Sequence, residues 1–479
     1  MSVNNVTLTL LHTNDLHSHF EELSRIAGFI KQVRETTNSE QLLVVDCGDF
    51  LDRVRVETEG TQASANRAAL EYIGYDALLL GNNEGLSYTP GQLEQIFEGM
   101  PIPIVCANMT LSKSGQCPPW MIPTYKIVKS GIRIGLIGVT APFNEYYDLL
   151  GWNAADPFDT VRKEAERLRP EVDVLIVLSH LGLRQDERMA TSIEGIDFIL
   201  GGHTHHLLEV PLLVGSTQIC AAGKFGGHIG HLNLEFDANN KLINISGGSK
   251  STEDFPRESG LDSLIERYRG EASLKMNKQI AYLSESLEYR SDQESVLPTL
   301  LAYAVRQVTS AEIGLVNAGQ LLEGLPAGKV TEETIHAICP SPINACVTML
   351  QGYQIVKALE ESLLPEFQQL EIRGFGFRGR VLGMLCLDGL EVTVDPSRAP
   401  LHRITAIKVN GVALDEKKMY SVGTLDMFTF GVGYIGLKEG VDTRYFLPDF
   451  IRDILSRALN QKEWITNCRK PRWLQHSMN

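Results

Sequence analysis

Short apolar runs recur through the first half of the chain, and each ends in polar residues of a metal-binding kind. V-T-L-T-L-L-H-T runs into N-D-L-H, which places Asp15 and His17 in the turn that follows. Q-L-L-V-V-D-C-G-D closes on Asp46 and Asp49, and D-A-L-L-L opens into the loop G-N-N-E-G with Asn82, Asn83 and Glu84. D-V-L-I-V-L-S-H ends at His180, and I-D-F-I-L-G-G-H-T-H-H at His203, His205 and His206. Continuous apolar runs of this length read as strands buried on both faces. Between them the period changes to that of a helix: Leu23, Ile26, Ile30 and Val33 lie on one face, and further helices are predicted near Thr61 to Ile73 and Pro157 to Arg169. Strands I-P-I-V-C and I-R-I-G-L-I-G-V complete the set. Strands alternating with helices predict an α/β fold with a mainly parallel sheet covered on both faces. In such folds ligands bind beyond the carboxyl ends of the strands, where all these polar residues fall.

From Leu208 to Ser249 short β segments alternate with Gly-rich turns, and from Glu253 to Asn277 the apolar positions return to helical spacing. Three parts are expected: a first domain over residues 1–250, a linker helix over 251–279 and a second, mixed α/β domain over 280–479. The second domain is predicted to hold helices near Glu294 to Val308 and Tyr353 to Leu364, the strand E-I-G-L-V-N, and a last helix after Pro448. In I-T-A-I-K-V-N-G-V-A-L the pair Asn410-Gly411 marks a type I′ hairpin turn.

Composition narrows the function classes. With 44 Lys and Arg against 59 Asp and Glu, the formal net charge of -15 disfavours a protein that grips nucleic acid polymers by counterion release. A small anionic substrate stays open, because bound cations make a local positive site. The first residues lack the positive region and cleavage-like site of a signal peptide, and no run reaches the ~18 apolar residues of a spanning helix, so a cytoplasmic protein with no membrane partner is expected. The 8 cysteines show no C-x-x-C spacing and read as reduced core thiols, Cys47 beside the candidate ligands included. Oligomeric state is not legible.

Asp15, His17, Asp49, Asn82, His180, His203 and His205 form the candidate metal set. Imidazole, carboxylate and amide together suit Mn, Fe, Zn or Co better than Mg or Ca. Seven ligands exceed the need of one ion that also binds water or substrate. Two ions sharing one carboxylate fit the count.

The order D-x-H, G-D, G-N-x-E, S-H, G-H-x-H resembles the dinuclear metallophosphoesterase (calcineurin-like) domain, and the second half resembles the C-terminal domain of bacterial 5′-nucleotidases. The resemblance implies an α/β sandwich of sheets covered by helices. It implies one metal on Asp15, His17, Asp49 and His205, a second on Asp49, Asn82, His180 and His203, and Asp49 as the bridge. In-line attack of a metal-activated water on phosphorus would follow.

Three departures accompany the resemblance. The family pattern G-N-H-E/D has a His that stabilises the transferring group or helps the leaving oxygen, and here Asn83 stands in its place. Asn83 and Glu84 are the candidate catalytic pair, with Glu84, His19 or His206 able to compensate for the missing imidazole. N-A-G-Q-L replaces N-G-G-I-R, so Leu321 stands where an Arg would meet an anion. G-V-G-Y, ending in Tyr434, replaces G-G-D-G-Y, which puts the base-stacking role of Phe428 or Phe430 in question. R-G-F-G-F-R-G-R offers substitutes: Arg373 and Arg378 for phosphate, Phe375 and Phe377 for a base.

The expected function is metal-dependent hydrolysis of a phosphoester or phosphoanhydride in a nucleotide-like small molecule. Pyrophosphate-type bonds or activated esters are favoured, because their leaving groups need no proton. Two alternatives remain: a metal-bearing nucleotide sensor with little turnover, and a phosphoesterase for a non-nucleotide substrate.

Overall fold

The computed structural model describes residues 5–475, which divide into two compact units, one up to Ala272 and one from Ser273. In the first unit the strand Val6–Thr13 lies parallel to Leu42–Asp46 and antiparallel to His228–Phe236. It belongs to a seven-stranded sheet that continues through Ala77–Leu78, Ile104–Val105 and Met121–Ile122 on one side and ends at Leu242–Ser251 on the other. A six-stranded sheet is centred on Ile132–Thr140, Val174–His180 and Phe198–Gly201, which run parallel. Every residue of Leu42–Asp46 and of Val174–His180 is buried, as their unbroken apolar runs require.

The mainly parallel sheet that the alternation of strands and helices predicts is divided into two sheets, as the resemblance to a sandwich of sheets implies. They meet at Gly138, whose carbonyl accepts the Ala107 N–H at 2.7 Å. A Cβ at Gly138 would lie 2.0 Å from the Val105 carbonyl oxygen, so only a glycine admits this backbone approach. Hydrophobic periodicity shows which segments are strands but carries no record of which strands pair. The helices Pro157–Leu168 and Leu183–Ser192 cover the six-stranded sheet, burying Val161, Ala165, Leu168 and Met189 against Leu175, Val177 and Ile199. Asp156 caps the first of these helices by accepting the Phe158 and Asp159 N–H groups, both at 2.9 Å. The segment G-N-N-E-G is a short helix, Asn82–Ser87, where a loop was expected.

The second unit has a five-stranded sheet in the order Leu385–Asp388, Ile313–Asn317, Met419–Leu425, Asn344–Gln351, Val441–Phe450. A four-stranded sheet holds the Ile404–Val409 hairpin, where Asn410 and Gly411 have φ of 48° and 84°, the paired positive values a type I′ turn demands. The last helix after Pro448, Ile451–Ala458, is followed by a helix Lys462–Asn467 and a strand Trp473–Gln475 that the pattern did not show. That strand joins Leu390–Val394 in parallel. The Arg472 guanidinium reaches Asp388 at 2.8 Å, and the same carboxylate takes Arg306 Nε at 2.9 Å, so a buried charge is fully paired where the strand enters.

Asp426 is buried in this unit, where it accepts the Asn344 N–H at 3.1 Å. Burial pushes its carboxyl up to about 7 from an ordinary 3.8. The unfolded chain thus ionises first, and the stability this group lends is intact below its unfolded value and lost as pH rises to the folded one. Asp426→Asn, which keeps an acceptor and cannot ionise, should raise the melting temperature over the parent by a margin that grows from pH 4 to pH 7 and then levels off. Thermal melts across that range measure it.

Of the 8 cysteines none is paired, and all but Cys117 are buried. Among the described residues no helix is long and apolar enough to cross a membrane.

Candidate metal centre

The polar turns at the carboxyl ends of the first unit's strands are folded into unusual backbone. Asp15, His17, Ser18, Asp49, His203 and His205 all have positive φ, between 45° and 74°. Each such residue costs about 1–3 kcal/mol and persists only where its surroundings overdetermine it. They do so here. The Asp15 and His17 N–H groups donate to the Gly48 and Asp49 carbonyls at 3.0 and 2.9 Å, extending the ladder between the first two strands into the loops. Asn14 donates to Asp15 Oδ2 and to the Gly223 carbonyl, both at 2.7 Å, and accepts the Ala222 N–H at 2.9 Å. The His203 N–H donates to both oxygens of Asp15, at 3.1 and 3.0 Å.

So held, Asp15 Oδ1 lies 3.4 Å from His205 Nε2, 3.7 Å from His180 Nε2 and 3.9 Å from His17 Nε2. Asp49 Oδ2 lies 3.2 Å from His180 Nε2 and 3.6 Å from His17 Nε2. Two ligands each about 2.0–2.2 Å from one ion stand roughly 3–4 Å apart, which is the spacing seen here. Two ligand groups result, Asp15 with His17 and His205, and Asp15 with Asp49 and His180. Asn82 Oδ1 accepts from His203 Nδ1 at 2.6 Å, so these two neighbours share one place at the edge of the cluster.

The residues fit a cation. The Nε2 atoms of His17 and His180 are buried and make no hydrogen bond, although buried polar atoms are nearly always paired. His180 Nδ1–H donates to the Cys47 carbonyl at 2.7 Å, which fixes the ring and leaves Nε2 as the free ligand atom. Without a cation the charges respond to one another. Burial opposes a charged His180, yet Asp49 and Asp15 outweigh it and raise the imidazole to about 10. The same pairing holds Asp49 well below the usual carboxylate range despite burial. Burial, helped by the charge on His180, takes His203 down to about 4.

Glu84, expected as a catalytic candidate, is 2 % exposed and spends its oxygens on three backbone N–H groups, those of Gly81, Asp49 and Leu51, at 2.8, 3.1 and 2.7 Å. It ties the Asn82–Ser87 helix to the Asp49 loop. Gly81 is pressed so closely there that a Cβ would lie 2.1 Å from Asp49 Oδ1. Asn83 donates its backbone N–H to Asp49 Oδ1 at 2.7 Å, and its side-chain amide donates to the Leu51 carbonyl. His206 Nδ1 is paired with Thr204 Oγ1 at 2.8 Å, and His19 stacks on Phe225 with ring centroids 4.2 Å apart.

Sequence reasoning missed Asn14, Asp52 and two half-buried rings. The Phe225 ring is 5.7 Å from that of His17 and 6.2 Å from that of His205, and the Phe143 ring is 6.0 Å from that of His203. Asn14 ends the first apolar run as Asp15 does, but its partners lie far along the chain, Asp52 stands among other loop residues, and an aromatic residue gives no sign of which neighbour it will flank.

In the second unit the substrate candidates separate. Phe375 and Phe430 are 52% and 43% exposed, with ring centroids 5.9 Å apart and planes inclined by 32°. Arg373 is exposed beside Glu371 at 3.4 Å, and half-buried Arg378 donates to the Phe377 carbonyl at 3.2 Å. Phe377, Phe428 and Tyr434 require correction, because all three lie in the hydrophobic core with no face open to a base. The Tyr434 hydroxyl is spent on the Gly383 carbonyl. Leu321 is core as well.

Comparison with known proteins agrees with this geometry. Residues 8–207 match the calcineurin-like phosphoesterase family, and residues 276–438 the 5′-nucleotidase C-terminal domain. An uncharacterized metallophosphoesterase of Bacillus subtilis (strain 168), YunD, is 35% identical over 95% of this chain and 99% of its own length. A snake venom 5′-nucleotidase of Gloydius brevicauda is 25% identical over 89% of this chain and 81% of its own. The crystal structure of a 5′-nucleotidase precursor from Thermus thermophilus shares the fold, with a TM-score of 0.61 at 24% identity, covering 99% of this chain and 98% of that one. Family members use divalent metals, and this chain has candidate ligand groups for them at its strand ends. The chain belongs to the calcineurin-like metallophosphoesterases that carry a 5′-nucleotidase C-terminal domain, and is a phosphoester hydrolase.

Proposed function

We propose that the chain hydrolyses phosphoester or phosphoanhydride bonds of nucleotides or their derivatives at a centre of two divalent metals. The observation that carries this reading is the pair of buried, unbonded Nε2 atoms of His17 and His180 facing Asp15 and Asp49. Asp15, His17, Asp49 and His205 would hold one ion and Asp49, Asn82, His180 and His203 the other, with Mn, Fe, Zn or Co suited to the donors. Bound there, the ions would polarise phosphoryl oxygens and lower the pKa of a water for in-line attack.

The chain's own residues do the positioning. Asn14 and the His203 N–H hold Asp15 in place, and Glu84 with the Asn83 N–H holds Asp49. The Asn83 side chain donates to the Leu51 carbonyl, and an amide is no acid, so it transfers no proton to a departing oxygen. That favours substrates whose leaving group is already a weak base: a nucleoside diphosphate derivative cleaved at the anhydride, or an activated ester. In the second unit Phe375 and Phe430 are the exposed aromatic candidates for stacking a nucleobase. The unpaired thiols suit a reducing compartment, and we assign the activity to the cytoplasm.

Release of phosphate, nucleoside or nucleoside monophosphate from AMP, ADP, UDP-glucose and NAD, and of nitrophenol from 4-nitrophenyl phosphate, by Mn-loaded protein tests the reading. Turnover of the aryl ester with none of the nucleotides would refute the nucleotide assignment. Base stacking is worth about 1–3 kcal/mol per base. Phe430→Ala should therefore raise KM for the best nucleotide by roughly 5- to 150-fold, with KM for 4-nitrophenyl phosphate unchanged. Equal effects on both would place the ring outside base recognition.

A further inference from the structure

Asp52 closes the run G-D-F-L-D and is 1% exposed. Its Oδ2 lies 3.3 Å from Nδ1 of His17, on the side of the ring away from the Nε2 that faces Asp15 and Asp49. The carboxylate is itself tightly set. Its backbone N–H donates to Ser18 Oγ at 2.8 Å, and its Oδ1 accepts the Val54 N–H at 2.9 Å. Ser18 Oγ is further fixed by Thr58 Oγ1 at 2.9 Å and Asn66 Nδ2 at 2.8 Å. A buried charge this close to an imidazole is strongly felt. On the other half of the centre His180 has a neutral oxygen behind it, the Cys47 carbonyl.

We propose that Asp52 is a positioning residue that makes the two halves of the centre unequal: its charge, set against the far side of His17, tightens the ion on Asp15, His17 and His205 relative to the ion on Asn82, His180 and His203. This rests on the metal-centre reading above but not on the substrate. It predicts an order of loading, with the His17 half filling first. It also predicts a chain that, at low metal supply, holds one ion and waits for the second.

Titration of metal-free protein with Mn(II) by isothermal calorimetry tests this. The parent should show two classes of site. Loss of an outer partner of a metal-ligating His typically costs 10–100-fold in affinity. Asp52→Ala should weaken the tighter site toward the upper end of that range, about 100-fold, and leave the weaker site within about twofold. Asp52→Asn, which keeps shape and an acceptor but removes the charge, should weaken the tighter site by roughly 10-fold. An Asp52→Asn protein that binds Mn like the parent would overturn the proposal, since a purely structural role survives that change. Equal weakening of both sites would overturn it too, as would a parent with no Mn binding, which would take the centre away altogether. A parent that binds Mn in this pattern but turns over no phosphoester would sink the hydrolase mechanism and leave the Asp52 assignment standing.

Discussion

Replacing Asp49 by Ala is expected to lower phosphate release by at least about 10³-fold on every substrate, because metal-derived charge stabilisation is worth several kcal/mol and each 1.4 kcal/mol is tenfold. The carboxylate faces His17 and His180 at 3.6 and 3.2 Å with one oxygen and receives the Asn83 N–H with the other. Asp49 is one of the two carboxylates that raise the buried His180 imidazole against desolvation, so the metal-free fold and the chemistry both have something to lose. Metal content by elemental analysis and phosphate release on the same preparation separate the two. Full metal occupancy with activity near the parent's would remove Asp49 from the centre. Lost metal and lost activity, with an unchanged circular dichroism spectrum, is the expected pattern.

The ligand cluster was legible in sequence because each member stops an apolar run. A strand of unbroken V, I and L has no structural use for Asp or His at its end, and a parallel sheet delivers all such ends to one edge. Asp15, His17, Asp49, His180, His203 and His205 come together on that logic alone. What holds them was not legible. Asn14 touches residues more than two hundred positions away, at Ala222 and Gly223, and Asp52 reads as one more loop carboxylate until its distance to His17 is known. The division into two sheets was hidden from the hydrophobic pattern for a related reason: it depends on Gly138 meeting Val105, a contact between strands that no periodicity records. In the second unit the aromatic candidates came as two pairs with one residue between, Phe375 with Phe377 and Phe428 with Phe430. In each pair one ring is exposed and the other is core. Residue type located the pairs, and only the backbone path decided which member faces outward.

Restoring an imidazole by Asn83→His should raise kcat/KM for alkyl phosphate esters such as AMP by about 10²-fold or more, the usual gain from a positioned acid. For anhydrides and nitrophenyl esters it should change by less than about tenfold, since their leaving oxygens depart without a proton. The reason lies in what Asn83 now does. Its backbone N–H braces Asp49, and its amide donates to the Leu51 carbonyl in the same loop, so the side chain serves the ligand rather than the leaving group. A His there keeps the backbone brace. It gives up the amide contact, at a cost of about 1 kcal/mol in stability that a thermal melt would register. The parent should accordingly show rates that fall steeply as the pKa of the leaving alcohol rises across a series of aryl and alkyl phosphates, and the variant a flatter dependence. A flat dependence in the parent would mean that another group already supplies the proton, with His19 and His206 the first to test. Equal acceleration of esters and anhydrides by Asn83→His would mean that the imidazole acts through charge on the phosphoryl group, and the preference for anhydrides would then need another origin.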